Sequence, residues 1–180
     1  MEESNVPSQN TPNIQINEQV IREKIERMKQ EQNLGLGILG GVIGGLIGAV
    51  IWAVIIYVTE YQIGLLAIGV GFLVGYGVRI LGKGIDKTFG IVGGIIALIS
   101  VMLGNFLASL GFLANYFEVS YFEILITFNY AMTLELLLET FSFMDLVFYG
   151  IAVYEGYKFS FRPISKGQLL EGAIVKNNLE

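Results

Sequence analysis

Polar and apolar residues in this chain are separated into long blocks instead of being mixed. Three stretches carry no charged residue, and they cover 32–59, 62–78 and 88–117. A transmembrane helix needs about 20 consecutive, mostly apolar residues. The pattern therefore predicts membrane-spanning helices at about 34–57, 61–78 and 89–113. The second stretch is close to the minimum length, and a re-entrant loop is the alternative interpretation for it.

A fourth apolar block covers 141–157 and carries charge only at Asp145 and Glu155, near its two ends. It predicts a fourth span. The preceding segment, 118–139, is rich in Leu, Phe and Tyr but is interrupted by glutamates, so its longest uncharged piece is too short to cross a bilayer. We expect that segment to lie at the membrane interface. The fold prediction is an all-α integral membrane protein whose four-span domain covers 33–157.

The flanking segments are polar. Residues 1–17 have too few apolar side chains to fold alone, which predicts a disordered cytoplasmic tail. Residues 18–32 combine i,i+4 ion pairs with a narrow apolar stripe, which is typical of an amphipathic helix. That cytoplasmic helix could pack on the membrane, bind a protein partner or another copy of the chain, or simply be solvated. Residues 158–180 are expected to form a second cytoplasmic tail.

The basic residues predict the orientation. All eleven Lys and Arg fall before the first block, between the second and third, or after the fourth. Four spans place them all on one side of the membrane, which the positive-inside rule makes the cytoplasm. Both termini are then cytoplasmic, and the opposite side carries only acidic residues, namely Glu60, Glu118, Glu123, Glu135 and Glu139.

Small residues recur at four-residue steps in the predicted spans. Such steps let helix backbones approach closely in lipid, and they predict glycine-zipper packing. The helix-packing candidates are Gly37, Gly41 and Gly45 in one ladder of the first span, Gly40, Gly44 and Gly48 in a second, and Gly71, Gly75, Gly90, Gly94 and Gly104 in later spans. The sequence leaves open whether these faces meet within one chain or between the chains of a homo-oligomer.

Charged residues near the lipid are the candidate functional sites. An ion path or an acidic outer rim is predicted at Asp145, Glu135, Glu139 and Glu60, since carboxylates at such positions attract cations. For Asp145 the alternative is a carboxylate that reaches water at the interface. Contact with lipid headgroups, or with an anion, is predicted for Arg79, Lys83 and Lys87.

Composition limits the chemistry. The chain has no Cys and no His, so it lacks disulfides, thiolate nucleophiles, imidazole bases and the commonest metal ligands. We expect no enzymatic activity, no cofactor, no metal and no nucleic-acid partner. The predicted partners are the lipid bilayer, further copies of the chain and a cytoplasmic protein. The favoured function is a self-associating membrane scaffold, sensor or complex subunit, and the alternative is a small oligomeric cation channel or transporter.

Motifs rich in glycine and aromatic residues occupy 61–84, 89–94, 103–108 and 154–158. They resemble those of a family of small multi-span bacterial membrane proteins of uncharacterised function, and the resemblance extends over about 34–162. It implies a location in a bacterial inner membrane and implies nothing about chemistry.

Overall fold

The computed structural model describes residues 14–127 and 141–176. The chain divides into two compact units. The first unit consists of 1–30 together with 163–180, and the second consists of 31–162. The described elements are, in order, β1 (Ile14–Ile16), α1 (Glu18–Gln30), α2 (Leu34–Thr59), α3 (Gly64–Gly82), α4 (Lys87–Tyr116), α5 (Tyr121–Thr127), α6 (Phe143–Phe159), α7 (Lys166–Leu170) and β2 (Ile174–Lys176).

The first unit brings together the two ends of the chain. Strands β1 and β2 pair antiparallel, with Ile16 opposite Ile174. The Lys24 ammonium, on α1, donates to the backbone carbonyls of Gln168 and Glu171 at 2.8 and 2.5 Å. The predicted disordered tail, 1–17, therefore ends in a strand. Local sequence could not show this, because the pairing partner lies at the other end of the chain.

Three helices of the second unit, α2, α3 and α4, are long and apolar enough to cross a membrane. By their length and composition, these helices confirm the prediction of a membrane protein built from helices. Helix α6 is shorter, with 17 residues. The largest shift in position is in α3, which was predicted at 61–78 and begins only at Gly64.

The four long helices pack around a filled interior. Helices α2 and α6 each pack on both α3 and α4. Helices α3 and α4 also contact each other. Trp52, Val74, Val78 and Val101 are completely buried in the shared core. Side chains therefore fill the space that a central channel would need.

Both glycine ladders of α2 are used inside this bundle. One ladder faces α4 and the end of α3: a Cβ atom on Gly41 would lie 2.9 Å from Ile96 Cδ1. The other faces α3: a Cβ atom on Gly40 would overlap the Gly77 carbonyl group, and Gly48 approaches Val70. All eleven glycines predicted to pack helices are buried. Their neighbours are in other helices of the same chain.

The two ends of this bundle differ in charge. The Asn33 N–H donates to the Gly82 carbonyl at 3.0 Å and the Arg162 N–H to the Gly84 carbonyl at 2.8 Å, so α2 begins beside the end of α3 and the segment after α6. We call this the basic end, which carries Arg79, Lys83, Lys87, Lys158 and Arg162. The opposite, acidic end carries Glu60, Glu118 and Glu123.

Candidate functional site

A buried carboxylate lies near the acidic end, in the first turn of α6. Ser142 caps this helix, and Asp145 follows three residues later. One carboxylate oxygen, Oδ2, accepts hydrogen bonds from the Ser142 backbone N–H at 2.8 Å and from the Ser142 hydroxyl at 3.0 Å. This local bonding turns the side chain back along its own helix, as in a capping box. Asp145 is only 4% exposed, so its side chain does not extend out to the surface of the bundle.

The second carboxylate oxygen of Asp145 is bonded from two other elements. The Gln62 side-chain amide donates to Oδ1 at 2.9 Å, and the Asn105 amide donates to it at 3.4 Å. Gln62 can do this because α3 begins at Gly64, which leaves Gln62 in the loop after α2. Every partner of the carboxylate among the described residues is a donor, which is the bonding an acceptor-only group requires.

Asn105 connects this carboxylate to the bundle core. Its Oδ1 accepts from the indole N–H of Trp52 at 2.7 Å, and its Nδ2 donates to the Tyr149 hydroxyl at 2.9 Å. The indole N–H can only donate, so it determines which way the Asn105 amide is turned. The polar cluster, defined as Trp52, Gln62, Asn105, Asp145 and Tyr149, therefore joins α2, the following loop, α4 and α6.

A cavity of about 210 Å³ opens beside the polar cluster. Polar side chains of Gln62, Asn105, Ser109, Asp145 and Tyr149 line one part of it, and the rings of Phe112 and Phe141 line another. Gln62, Phe112 and Phe141 are exposed, whereas Asp145 is buried. The cavity thus runs from the surface of the bundle to a carboxylate at its inner wall.

Neither a protein-family model, nor a curated protein, nor a solved structure matches this chain. The family resemblance therefore stays a prediction, and the function has to be argued from the site itself.

A larger groove of about 790 Å³ lies between α2 and α4, also near the acidic end. Its lining is mostly apolar, with Glu118 and Tyr121 among the polar residues. The Tyr121 hydroxyl donates to the Leu107 carbonyl at 3.3 Å. Burial raises the pKa of the Tyr121 phenol above its ordinary value, which keeps this donor protonated. The described residues that line the groove offer mainly van der Waals contact.

The predicted acidic rim is only partly described. Glu60 ends α2 in a left-handed backbone conformation and is exposed. Glu135 and Glu139 lie outside the described residues. Asp145 is buried, unlike Glu60. The structure therefore separates an exposed glutamate from a buried aspartate that the sequence placed in one group.

The predicted basic trio lies at the basic end. Arg79 is in the last turn of α3, with its guanidinium 5.8 Å from the centre of the exposed Tyr76 ring. Lys83 caps the same helix in a left-handed conformation, and Lys87 begins α4. Lys83 and Lys87 are exposed, as headgroup contacts would require.

Sequence reasoning missed most of the polar cluster and one packing face. Trp52, Gln62 and Tyr149 were not predicted as site residues, although a tryptophan in an apolar span needs an acceptor for its N–H. On α6, Ala152, Gly156 and Ser160 are buried at four-residue steps. A Cβ atom on Gly156 would lie 2.8 Å from the Gly93 carbonyl oxygen of α4. That spacing was readable in the sequence.

Proposed function

We propose that this protein is a non-enzymatic membrane protein with four spans and cytoplasmic termini, which serves as a scaffold, sensor or complex subunit. The observation that carries the proposal is the filled interior of the bundle. With Trp52, Val74, Val78 and Val101 completely buried, the described helices have no room for an ion path along their shared axis. A chain without an ion path along its own axis favours a role in binding over a role in conduction.

The packing of α6 supports a fourth span. A Cβ atom on Gly64 would meet Phe148, one on Gly71 would meet Ala152 and Glu155, and one on Gly75 would meet Phe159. The residue numbers of the contacting pairs increase along both helices, so α6 lies beside α3 and runs parallel to it. Its 17 residues span about 25 Å, against a hydrocarbon thickness of about 30 Å.

The chain ends support the same number of crossings. Residues 14–16 pair with residues 174–176, so both ends lie on one side of any membrane that the bundle crosses. An even number of crossings is then required, and α6 supplies the fourth. The basic residues at one end of the bundle favour the cytoplasm as that side.

The same packing changes the proposed route to self-association. The sequence left open whether the two glycine ladders of α2 meet other helices of one chain or other chains of a homo-oligomer. Gly40 and Gly41 belong to different ladders, and both face other helices of the chain. A homo-oligomer that forms within the membrane would therefore use the exposed apolar side chains of the lipid-facing surface, such as Leu39, Ile43 and Leu46 on α2.

Cysteine labelling tests the topology, because the natural chain has no Cys. A membrane-impermeant thiol reagent applied to intact cells is expected to label Tyr61→Cys and Ser120→Cys but not Gln19→Cys, Thr88→Cys or Ser165→Cys. All five positions lie outside the proposed hydrocarbon region and are exposed. Labelling of Ser165→Cys with protection of Gln19→Cys would contradict the fourth span, and labelling of Thr88→Cys would contradict a spanning α3.

The cation channel or transporter remains the alternative, and the buried Asp145 beside a polar cavity favours it. Liposomes containing the purified chain distinguish the two functions. The scaffold proposal predicts no more sodium or potassium leak than in protein-free vesicles. A leak that the wild-type chain produces and Asp145→Asn abolishes would establish the alternative.

A further inference from the structure

We propose that the cavity beside Asp145 binds a small organic cation of the primary alkylammonium class. Such a ligand would give the proposed sensor or subunit something to bind. The inference rests on the proposed function in one respect: the proposed topology decides from which side of the membrane the ligand arrives. Three features of the site support this ligand: its charge, the acceptors that line the cavity, and the aromatic side chains around it.

The charge of the site has no counterpart. No Lys or Arg among the described residues forms an ion pair with Asp145, and its four hydrogen-bond donors are neutral. Hydrogen bonds from neutral donors stabilise a carboxylate but leave its net charge uncompensated. A buried charge in an apolar bundle is costly unless it is paired. A cation that enters the cavity from its exposed mouth would supply the missing partner.

The acceptors in the cavity suit an ammonium group. The Ser109 hydroxyl uses its hydrogen on the Asn105 backbone carbonyl at 3.0 Å, which leaves its oxygen free to accept. Gln62 donates through Nε2, so its Oε1 is a second acceptor at the mouth. Together with Asp145 Oδ1, these oxygens match the three N–H groups of a primary ammonium.

The rest of the cavity suits an alkyl chain. Phe112, Phe141 and Tyr149 line it, and the last two rings are 6.1 Å apart at an angle of 52°. Aromatic faces attract organic cations and also bury their carbon atoms. A divalent metal is a poorer match, since the described residues contain no group of three or more carboxylate, thiol or imidazole ligands. The volume of about 210 Å³ restricts the ligand to a short chain.

Binding to the purified full-length chain in detergent tests the proposal, with propylammonium chloride as the probe. We expect saturable binding by calorimetry, together with a higher Tm. Sodium chloride at the same ionic strength and the uncharged analogue 1-propanol should give neither effect. Binding in detergent does not depend on membrane orientation or ion flux, so its failure is distinguishable from failure of the proposed function.

Two variants locate the binding. Phe141→Leu removes one aromatic side chain without touching the bonds to Asp145, and it is expected to weaken propylammonium binding roughly 3- to 30-fold. Asp145→Asn removes the charge and is expected to weaken it at least about tenfold. The matched control is Phe143→Leu, which changes a 79% exposed ring outside the cavity and should bind like the wild type.

Three outcomes of the first set of measurements would overturn the proposal. These are no saturable binding by the wild type, equal binding of 1-propanol, and equal weakening by Phe141→Leu and Phe143→Leu. If Asp145→Asn does not fold, Gln62→Leu replaces it, because Gln62 is an exposed residue at the mouth whose loss removes one acceptor. Unchanged affinity in both Phe141→Leu and Gln62→Leu would also exclude this cavity as the binding site.

Discussion

Replacing Gly40 with alanine is expected to destabilise the helical bundle by about 3 kcal/mol. The added methyl group would overlap the Gly77 carbonyl oxygen and lie 2.7 Å from the carbonyl carbon. A Cβ atom on Gly77 would likewise overlap the Gly40 carbonyl group. The backbones of α2 and α3 therefore face each other here with no side chain between them. A backbone carbonyl cannot rotate away as a side chain can. The substitution must push α2 and α3 apart along their contact.

Reversible unfolding in mixed detergent micelles measures this loss. Trp52 is the only tryptophan and is completely buried, so its fluorescence reports on the core without a label. The matched control is Gly69→Ala on α3, where an added Cβ atom meets nothing within 4 Å. That control should match or exceed wild-type stability, because alanine favours a helix over glycine by about 1 kcal/mol. Equal stability of the two variants would refute direct packing of α2 on α3 through Gly40.

Asn105→Leu is expected to destabilise the protein by about 2–4 kcal/mol, through the loss of hydrogen bonds rather than volume. Leucine has the same branched skeleton of heavy atoms as asparagine, but it cannot accept from the Trp52 indole or donate to Tyr149 and Asp145. The buried indole N–H would then have no acceptor in the polar cluster. An unsatisfied polar group away from water costs more than a hydrogen bond contributes when it is made.

The same detergent unfolding measurement compares Asn105→Leu with Asn115→Leu. The control makes the same substitution on the same helix, ten residues further along, where Asn115 is exposed. We expect Asn115→Leu to change stability by less than about 0.5 kcal/mol. Similar losses in the two variants would mean that the polar cluster contributes no specific stability. Trp52 fluorescence should also respond only to Asn105→Leu, because only that variant changes the hydrogen bond of the indole.

The positions of the apolar helices could be predicted because a bilayer imposes a length that can be counted. The predicted spans at 34–57 and 89–113 correspond to α2 and α4, and each helix extends the prediction by only a few residues. The start of α3 was misplaced by three residues. That error hid Gln62, which could reach Asp145 only from a loop.

The candidate site was harder to predict because its members are far apart in the chain. Asp145 was singled out as a charge in a span, but its burial depends on Gln62 and Asn105, which are 83 and 40 residues away. Nothing local to Asp145 distinguishes a buried carboxylate from one that reaches the interface. The partners of the glycine ladders were equally hard to predict, because four-residue spacing predicts close packing but does not identify which helix packs there.

The sequence by itself determined that this chain has long apolar helices, glycines at four-residue steps, and basic residues confined to three clusters between the apolar blocks or outside them. These properties follow from local composition and periodicity, which depend only on neighbouring residues. The tertiary structure decided which helix each glycine face meets, that the two chain ends pair through β1 and β2, and that Asp145 lies inside a polar cluster beside a cavity. Those outcomes depend on contacts between distant residues, which form only when the whole bundle is assembled.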